Sequence, residues 1–518
     1  PPSSSSSSSL SLTLTKEQVG VRAGALASSF MWGRLVTSYW VWGRIADKYG
    51  RVLTLQVSLI LSCLCSLGFG FATTFESALV WRGALGLSNA LVGTTKTLAS
   101  ELTRRGDSNH DNVNTNNDNN TNAKGQVQER QAMSLIVGMR SWGYLLGPAI
   151  GGWLAEPIAQ YCPKDDDTTT TTTNNDNTKR GWLCHSQILE DHPFLLPNLL
   201  VALLCAIAAI WTTLCITEPV TLPNEKPTRK QKPNHENEQL PLLAIVSDKS
   251  QNNNDSYSND PDDCASSRPT QKPEGIRAIW SRSATRQHLW THWITSFVVT
   301  MLDEGFPLFC LVPVASTISM PGGGGGGLGL NEAGIGTILS TAGLIFAALQ
   351  YAVYIHVVDR IGLYPSIRRG CLWGLLPALL IPLSTFLLSK NPKSDDSSSL
   401  TWGAFWFLAV VLGGCKIMTC MFFTSLAVAT NATVPRELRA QMNGLIVVGG
   451  SLSKGLGPLV VGALVSWAFS DRGIGTHADD TEYHQHGAGF AVFGTISLLG
   501  VLAWMFTWRL ESSVANGE

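Results

Sequence analysis

Four charged side chains interrupt stretches that are otherwise apolar. Asp303 and Glu304 stand near the middle of "WITSFVVTMLDEGFPLFCLVPV", Lys416 near the middle of "FLAVVLGGCKIMTCMFF", and Arg82 follows "FESALVW". A charge at the centre of a membrane helix costs about 2.5–3.5 kcal/mol even on the gentler scales. Desolvation raises a carboxylate's pKa and a nearby cation lowers it, so an Asp or Glu whose access alternates between two aqueous sides can load and release a proton. The plainer alternative is a static ion pair between the helices carrying Asp303/Glu304 and Lys416, while Arg82 could simply snorkel. A further base, Arg140, precedes "GPAIGG" by about two helical turns, facing the same seam.

Other constellations carry less. "THADDTEYHQHG", residues 476–487, holds His477, His484 and His486 among carboxylates, a donor set that suits zinc; a solvated loop with chance histidines is the simpler reading. Cys162 and Cys184 share one polar loop and could form a disulfide. The other cysteines in apolar runs read as small buried residues. No nucleophile, base and orienting group cluster within the apolar segments, so an enzyme is not expected, and no cofactor is implied.

These residues need elements to hold them, and composition points to lipid. The 518 residues include 37 Lys+Arg and 38 Asp+Glu, and 14% are charged, against roughly 25% in soluble globular domains. Mean hydropathy is +0.11, diluted by polar low-complexity tracts. A near-zero net charge argues against nucleic acid as a partner. About 20 apolar residues cross a bilayer as a helix; eleven segments qualify, at 20–45, 52–74, 76–101, 132–155, 193–216, 288–313, 332–357, 366–388, 401–430, 438–468 and 488–508. Helices are expected because a lone chain in lipid must satisfy its backbone polar groups within each segment.

Lys and Arg concentrate in alternate loops, which the positive-inside rule places in the cytoplasm. One is "WGRIADKYGRV", with Gly43, Asp47, Lys48, Gly50 and Arg51; its Asp-base-x-Gly core recurs as Asp359, Arg360 and Gly362. "GPAIGG" at 147–152 likewise recurs as "GPLVVG" at 457–462. The offsets, 312 and 310, indicate two similar halves, as in transporters built from repeats. The expected organisation is a low-complexity N-terminus at 1–19, a five-helix bundle at 20–216, a largely disordered cytoplasmic linker at 217–287, a six-helix bundle at 288–508 and a tail at 509–518. Shifting the 288–313 helix by the offset puts its partner before residue 1, so the first helix of the first half is expected to be missing.

At this point the motifs carry a family likeness. Gly43-x-x-x-Asp47-Lys48-x-Gly50-Arg51 resembles the loop between the second and third helices of the major facilitator superfamily, and Arg82-x-x-x-Gly86 its fourth-helix motif. Gly143-x-x-x-Gly147-Pro148-x-x-Gly151-Gly152 resembles its antiporter-associated fifth-helix motif. "SSFMWGRLVTSYWVWGRIADKYGR" and "MRSWGYLLGPAIGGWLAEP" are most similar to the zinc-induced facilitator-like branch of drug:proton antiporters. The resemblance implies the all-α major facilitator fold, with a proton-coupling role for Arg82 and a cytoplasmic latch at Asp47. Lys96, Arg140 and Lys454 match bases of that branch; for Lys96 and Lys454 the alternatives are interfacial anchoring and contact with an anionic substrate or headgroup. Val52 departs from the basic residue usual at the end of the loop motif.

Four-residue spacing puts Gly143, Gly147 and Gly151 on one face, where a neighbouring helix can pack closely, and Pro148 permits a bend. The expectation is a monomeric multi-pass membrane protein, vacuolar or plasma-membrane. It would exchange protons for a small solute (a metal or metal chelate, an organic ion or a drug) by alternating access. The rival is a non-transporting membrane sensor or partner protein that keeps the fold.

Overall fold

In lipid only helices satisfy the backbone within one segment, and every regular element among the described residues is helical. The computed structural model describes residues 16–38, 41–91, 93–95, 98, 142–143, 146–162, 186–216, 276–312, 326–387, 400–434, 438–469 and 483–515. All of them belong to one unit formed by residues 1–219 and 275–518. In chain order the principal helices are α1 (Lys16–Ser38), α2 (Trp42–Tyr49), α3 (Arg51–Gly70), α4 (Phe75–Leu87), α5 (146–154) and α6 (Leu195–Cys215). They continue with α7 (Ser283–Leu311), α8 (Glu332–Ile361), α9 (Leu363–Leu375), α10 (Trp402–Ala432), α11 (Arg439–Ala468) and α12 (Tyr483–Ala515). A 3₁₀ stretch, Leu376–Leu387, extends α9; Pro382 within it lacks the N–H that an α-helix would use.

Among the described residues, eight helical spans are long and apolar enough to cross a bilayer. Three of the eleven expected segments fall outside that set. In α1 the charges of Arg22 and Arg34 and several small residues dilute the apolar character. The 132–155 segment is described mainly as α5. The 76–101 segment is interrupted, because α4 stops at Leu87. There Ser58 of α3 donates to the Ser88 carbonyl at 2.6 Å and accepts from the Ala90 N–H at 3.0 Å, satisfying backbone groups that the break would otherwise strand.

The recurrent Asp-base-x-Gly sequence builds the same turn twice. Gly50 has φ 101°, ψ 162° and Gly362 has φ 85°, ψ 174°, a region essentially reserved for glycine. Each glycine N–H closes the preceding helix, on Ala46 O and Val358 O, and the next helix starts at the following residue. Ahead of the first turn, the Val41 N–H reaches the Thr37 carbonyl of α1 at 3.1 Å and the Ile45 N–H reaches the Val41 carbonyl at 3.0 Å.

The Gly/Pro runs also make the same contact twice. A Cβ on Gly152 of α5 would stand 3.1 Å from Gly336 Cα of α8, and one on Gly462 of α11 would stand 3.3 Å from Gly24 Cα of α1. Gly152 additionally faces the Glu332 carbonyl, as Gly462 faces that of Gly20; Gly336 and Gly24 both face the carbonyl of a proline, Pro148 and Pro458. Glycine lets backbones approach this closely. The close approach therefore uses Pro148 and Gly152. Among the described residues an added Cβ on Gly143, Gly147 or Gly151 meets nothing within 4 Å. A buried cluster from α7 to α12, including Phe306, Phe309, Ile338, Leu375, Phe422 and Phe493, consolidates the second half. Cys162 is disulfide-bonded, and its partner lies outside the described residues.

Candidate functional site

Asp303 sits two-thirds along α7, facing α10. Lys416 Nζ donates to Asp303 Oδ1 at 2.5 Å, and the two side chains are 23% and 28% exposed. Pro307, four residues on, removes the helix hydrogen bond to the Asp303 carbonyl, loosening the backbone beside the ion pair.

Glu304 follows and is partly buried. A 100° step per residue turns it away from Asp303, and it lies within electrostatic reach of Arg82 on α4 and of Lys416, both opposing its charge, and of Asp303, which shares it. The Arg82 guanidinium stacks over the Phe69 ring of α3 at 5.5 Å. Its Nε is buried with no hydrogen-bond partner among the described residues.

The element presenting Arg82 is held against α1. Gly86 of the Arg82-x-x-x-Gly86 motif packs on the Phe30 backbone and Gly33 on the Gly83 carbonyl. Thr37 Oγ1 and Trp42 Nε1 both donate to the Leu87 carbonyl, at 2.9 Å and 2.8 Å. The end of α4 thus gains side-chain donors for a carbonyl its own helix leaves open.

Of the five expected coupling residues, four are brought together: Asp303, Glu304, Lys416 and Arg82. Arg140 and Lys96 lie outside the described residues. In the loop set, Lys48 is exposed, with its Nζ 5.0 Å from the Tyr49 ring centroid, and Arg360 is exposed. Asp47 and Asp359 have described backbones only, and among the described residues an added Cβ on Gly43 meets nothing within 4 Å. Of the histidines at 477–486, His477 lies outside the described residues, while His484 and His486 fall on the first turn of α12. Among the described residues no group of three or more His, Cys, Asp or Glu is placed to hold a metal ion.

One residue escaped the motif reading. His292 lies on the stripe of α7 that carries Asp303, since eleven residues at 100° each return to within about 20°. Its Nδ1 is 3.5 Å from Ser296 Oγ, its ring meets Phe423 of α10 edge-on at 5.1 Å, and Lys454 of α11 is within electrostatic reach. Lys454 stands midway along α11 and is partly buried. The 292/303 spacing was the available signal.

Comparison with known proteins agrees with this architecture. The sequence model of the Major Facilitator Superfamily matches residues 3–390. Zinc Induced Facilitator 1 of Arabidopsis thaliana is 25% identical over 466 residues, covering 88% of this chain and 77% of the relative. The major facilitator superfamily multidrug transporter mfsB of Aspergillus fumigatus is 23% identical over 488 residues, covering 87% and 72%. In fold, the crystal structure of a D-xylose-proton symporter superposes with a TM-score of 0.54 at 12% identity, covering 96% of this chain and 89% of that one. With buried charges bridging helices of a repeat-built membrane bundle, the chain belongs to the Major Facilitator Superfamily of secondary active transporters.

Proposed function

We propose that this protein is a proton-coupled antiporter of a small solute, and that Asp303 and Glu304 carry the proton. The observation supporting this reading is the placement of two adjacent carboxylates between bases from different helices, Lys416 of α10 and Arg82 of α4. An ionised carboxylate in this setting leans on its base; a protonated one releases it. Proton loading therefore changes which helices are tied together, the differential interaction that a conformational switch requires.

The moving parts are the five-helix bundle of residues 20–216 and the six-helix bundle of 288–508, joined by the 217–287 linker. The paired seams α5/α8 and α1/α11 lie at the helix ends remote from the basic Asp47 and Asp359 turns. Their glycine faces permit the bundles to close there and part again without side chains interlocking. Names among the relatives favour a metal-related or drug-like solute, and the solute class is a metal or metal chelate, an organic ion or a drug.

The test uses purified protein in liposomes with a trapped pH dye and an imposed pH gradient. Proton flux is followed on adding potassium, zinc, zinc citrate or cationic dyes. Flux driven by at least one solute, lost in Asp303→Asn or Glu304→Gln, is expected. Full flux in both variants would sink the proton site, and no flux with any solute would favour a sensor that keeps the fold.

A further inference from the structure

Between Glu274 and Asp303 the sequence holds three arginines, Arg277, Arg282 and Arg286, and no acidic residue. The start of this stretch forms a short helix, Ile276–Ser281, immediately ahead of α7. Its inner side is fixed by Ile279, which is fully buried with Leu289 of α7, Met442 of α11, and Val434 and Leu438 from the connection between α10 and α11. Apolar burial holds the short helix in place, so what it presents outward is a property of the fold.

Three indoles make up the outward side. Trp280 stacks on Trp293 of α7 with centroids 6.2 Å apart and planes at 24°, and Trp290 meets Trp293 edge-on at 5.3 Å. Trp293 lies on the bare backbone of α11 at Gly449, whereas Trp280 and Trp290 are 40% and 49% exposed. Two bases join them. Arg277 is exposed and, three residues before Trp280, shares its helix face. Arg286 Nη1 donates to the Trp280 and Ser281 carbonyls at 3.1 Å and 3.5 Å, which seats the guanidinium beside the indole row; these bonds use one nitrogen of a group with five donors.

The surface is on the basic-loop side and away from the ion pair. The His288 ring of α7 meets the Tyr364 ring edge-on at 6.5 Å, so α7 begins at the level of the Gly362 turn. Two residues at 100° each turn Trp290 about 160° away from His292, whose ring meets α10; the surface therefore lies on the far side of α7 from the Asp303 stripe. Indoles collect where hydrocarbon meets water, which accounts for the tryptophans but is indifferent to headgroup charge. The arginines discriminate. A guanidinium matches a pair of phosphate or carboxylate oxygens, and bases beside a membrane helix with no acid among them attract an anionic leaflet.

We propose that Arg277, Arg286, Trp280 and Trp290 form a docking surface for an anionic phospholipid of the leaflet on the basic-loop side, with the guanidiniums on the headgroup and the indoles beneath it. The bound lipid tethers the point where the 217–287 linker meets α7, the helix that carries Asp303 and Glu304. It is read by binding alone, so it stands or falls apart from the antiport reading.

The experiment is native mass spectrometry of the full chain in detergent, titrated separately with phosphatidylserine and phosphatidylcholine of matched acyl chains. Each base near an anionic surface contributes about a five-fold preference, so phosphatidylserine should bind about ten-fold more tightly or better. Arg277→Gln should cut that preference about five-fold, and Arg277→Gln with Arg286→Gln should abolish it. Arg277→Lys should keep it, and Trp290→Leu should weaken both lipids while leaving their ratio. Arg369→Gln removes an exposed base of α9 outside the surface and should leave the preference intact. Circular dichroism establishes that each variant is folded; because Arg277 is exposed, Arg277→Gln tests the surface even if the Arg286 variant does not fold. Equal binding of the two lipids to the unaltered chain overturns the inference. So does a preference unchanged in Arg277→Gln, or one lost as fully in Arg369→Gln, which would make it a diffuse charge effect. If the preference emerges only after Asp260→Asn, Asp262→Asn and Asp263→Asn, the acidic linker covers the surface and the lipid assignment is overturned.

Discussion

Gly336 of α8 lies so close to α5 that a Cβ on it would stand 2.5 Å from the Pro148 carbonyl oxygen. Gly24 of α1 has the same relationship to Pro458 of α11, and the two pairs are related by the offsets that relate the sequence repeats. Backbone atoms cannot give way as a flexible side chain can, so an added methyl must separate the helices. Gly336→Ala and Gly24→Ala should each cost about 1–3 kcal/mol of the closed seam's stability. Thermal unfolding of the purified protein would show the loss. Gly143→Ala, where nothing described lies within 4 Å of the added atom, should leave the unfolding temperature near wild type.

The Asp303–Lys416 pair supports a double-mutant test. Removing one partner leaves the other charge partly desolvated; for fully buried pairs that costs about 3–5 kcal/mol, and exposure of about a quarter on each side reduces it. Asp303→Asn alone should destabilise by about 2 kcal/mol, and Asp303→Asn with Lys416→Met should recover most of that. Denaturation midpoints check this part. A purely structural pair would regain proton-driven exchange in the double variant; a proton carrier would not.

Much of this was legible in the sequence because the repeat unit is short and its chemistry demanding. Asp47-Lys48-x-Gly50 and Asp359-Arg360-x-Gly362 announced a turn that needs glycine, and Gly50 and Gly362 adopt positive φ. Asp303, Glu304 and Lys416 were legible because ions in apolar runs are expensive. The packing face of α5 was not. Spacing identifies which residues share a face, but only the placed neighbour shows which of them touch it, and among the described residues the approach to α8 is made at Pro148 and Gly152. Likewise Gly20 and Gly24 have no motif of their own; only the approach of Gly462 and Pro458 gives them meaning. His292 was overlooked because its eleven-residue spacing from Asp303 gains meaning only once Phe423 of α10 is placed against its ring.

The two turns give a third prediction. Gly50 and Gly362 occupy a region where an L side chain costs about 1–3 kcal/mol. Around Gly362 the nearest described atom is 4.0 Å from an added Cβ. Gly50→Ala and Gly362→Ala should therefore destabilise by similar amounts, about 1–3 kcal/mol each, and additively, because they lie in separate turns. Chemical denaturation of the two single variants and the double would show both features. Strong non-additivity would mean that the turns are coupled.

Glu156 supplies a pH dependence with a defined sign. It follows α5 in a left-handed conformation, φ 45°, and its carboxyl is pushed up from the ordinary glutamate value, first by burial and then by the neighbouring charge of Glu332 at the start of α8. A carboxyl whose folded pKa is raised binds its proton more tightly in the folded than in the unfolded chain. Its contribution to stability is fully present below the unfolded value of about 4.3 and is lost as pH rises through the folded value. Ionised Glu156 thus weighs against the α5/α8 seam at neutral pH. The unfolding temperature should fall as pH rises from about 4.3 into the range just above, and Glu156→Gln should both raise it at pH 7 and flatten that slope. Glu332→Gln should produce a smaller change in the same direction, because it removes the second cause and leaves the first. Thermal scans across this window distinguish the cases: if Glu156→Gln unfolds at the wild-type temperature at every pH, the carboxyl carries no penalty at the seam.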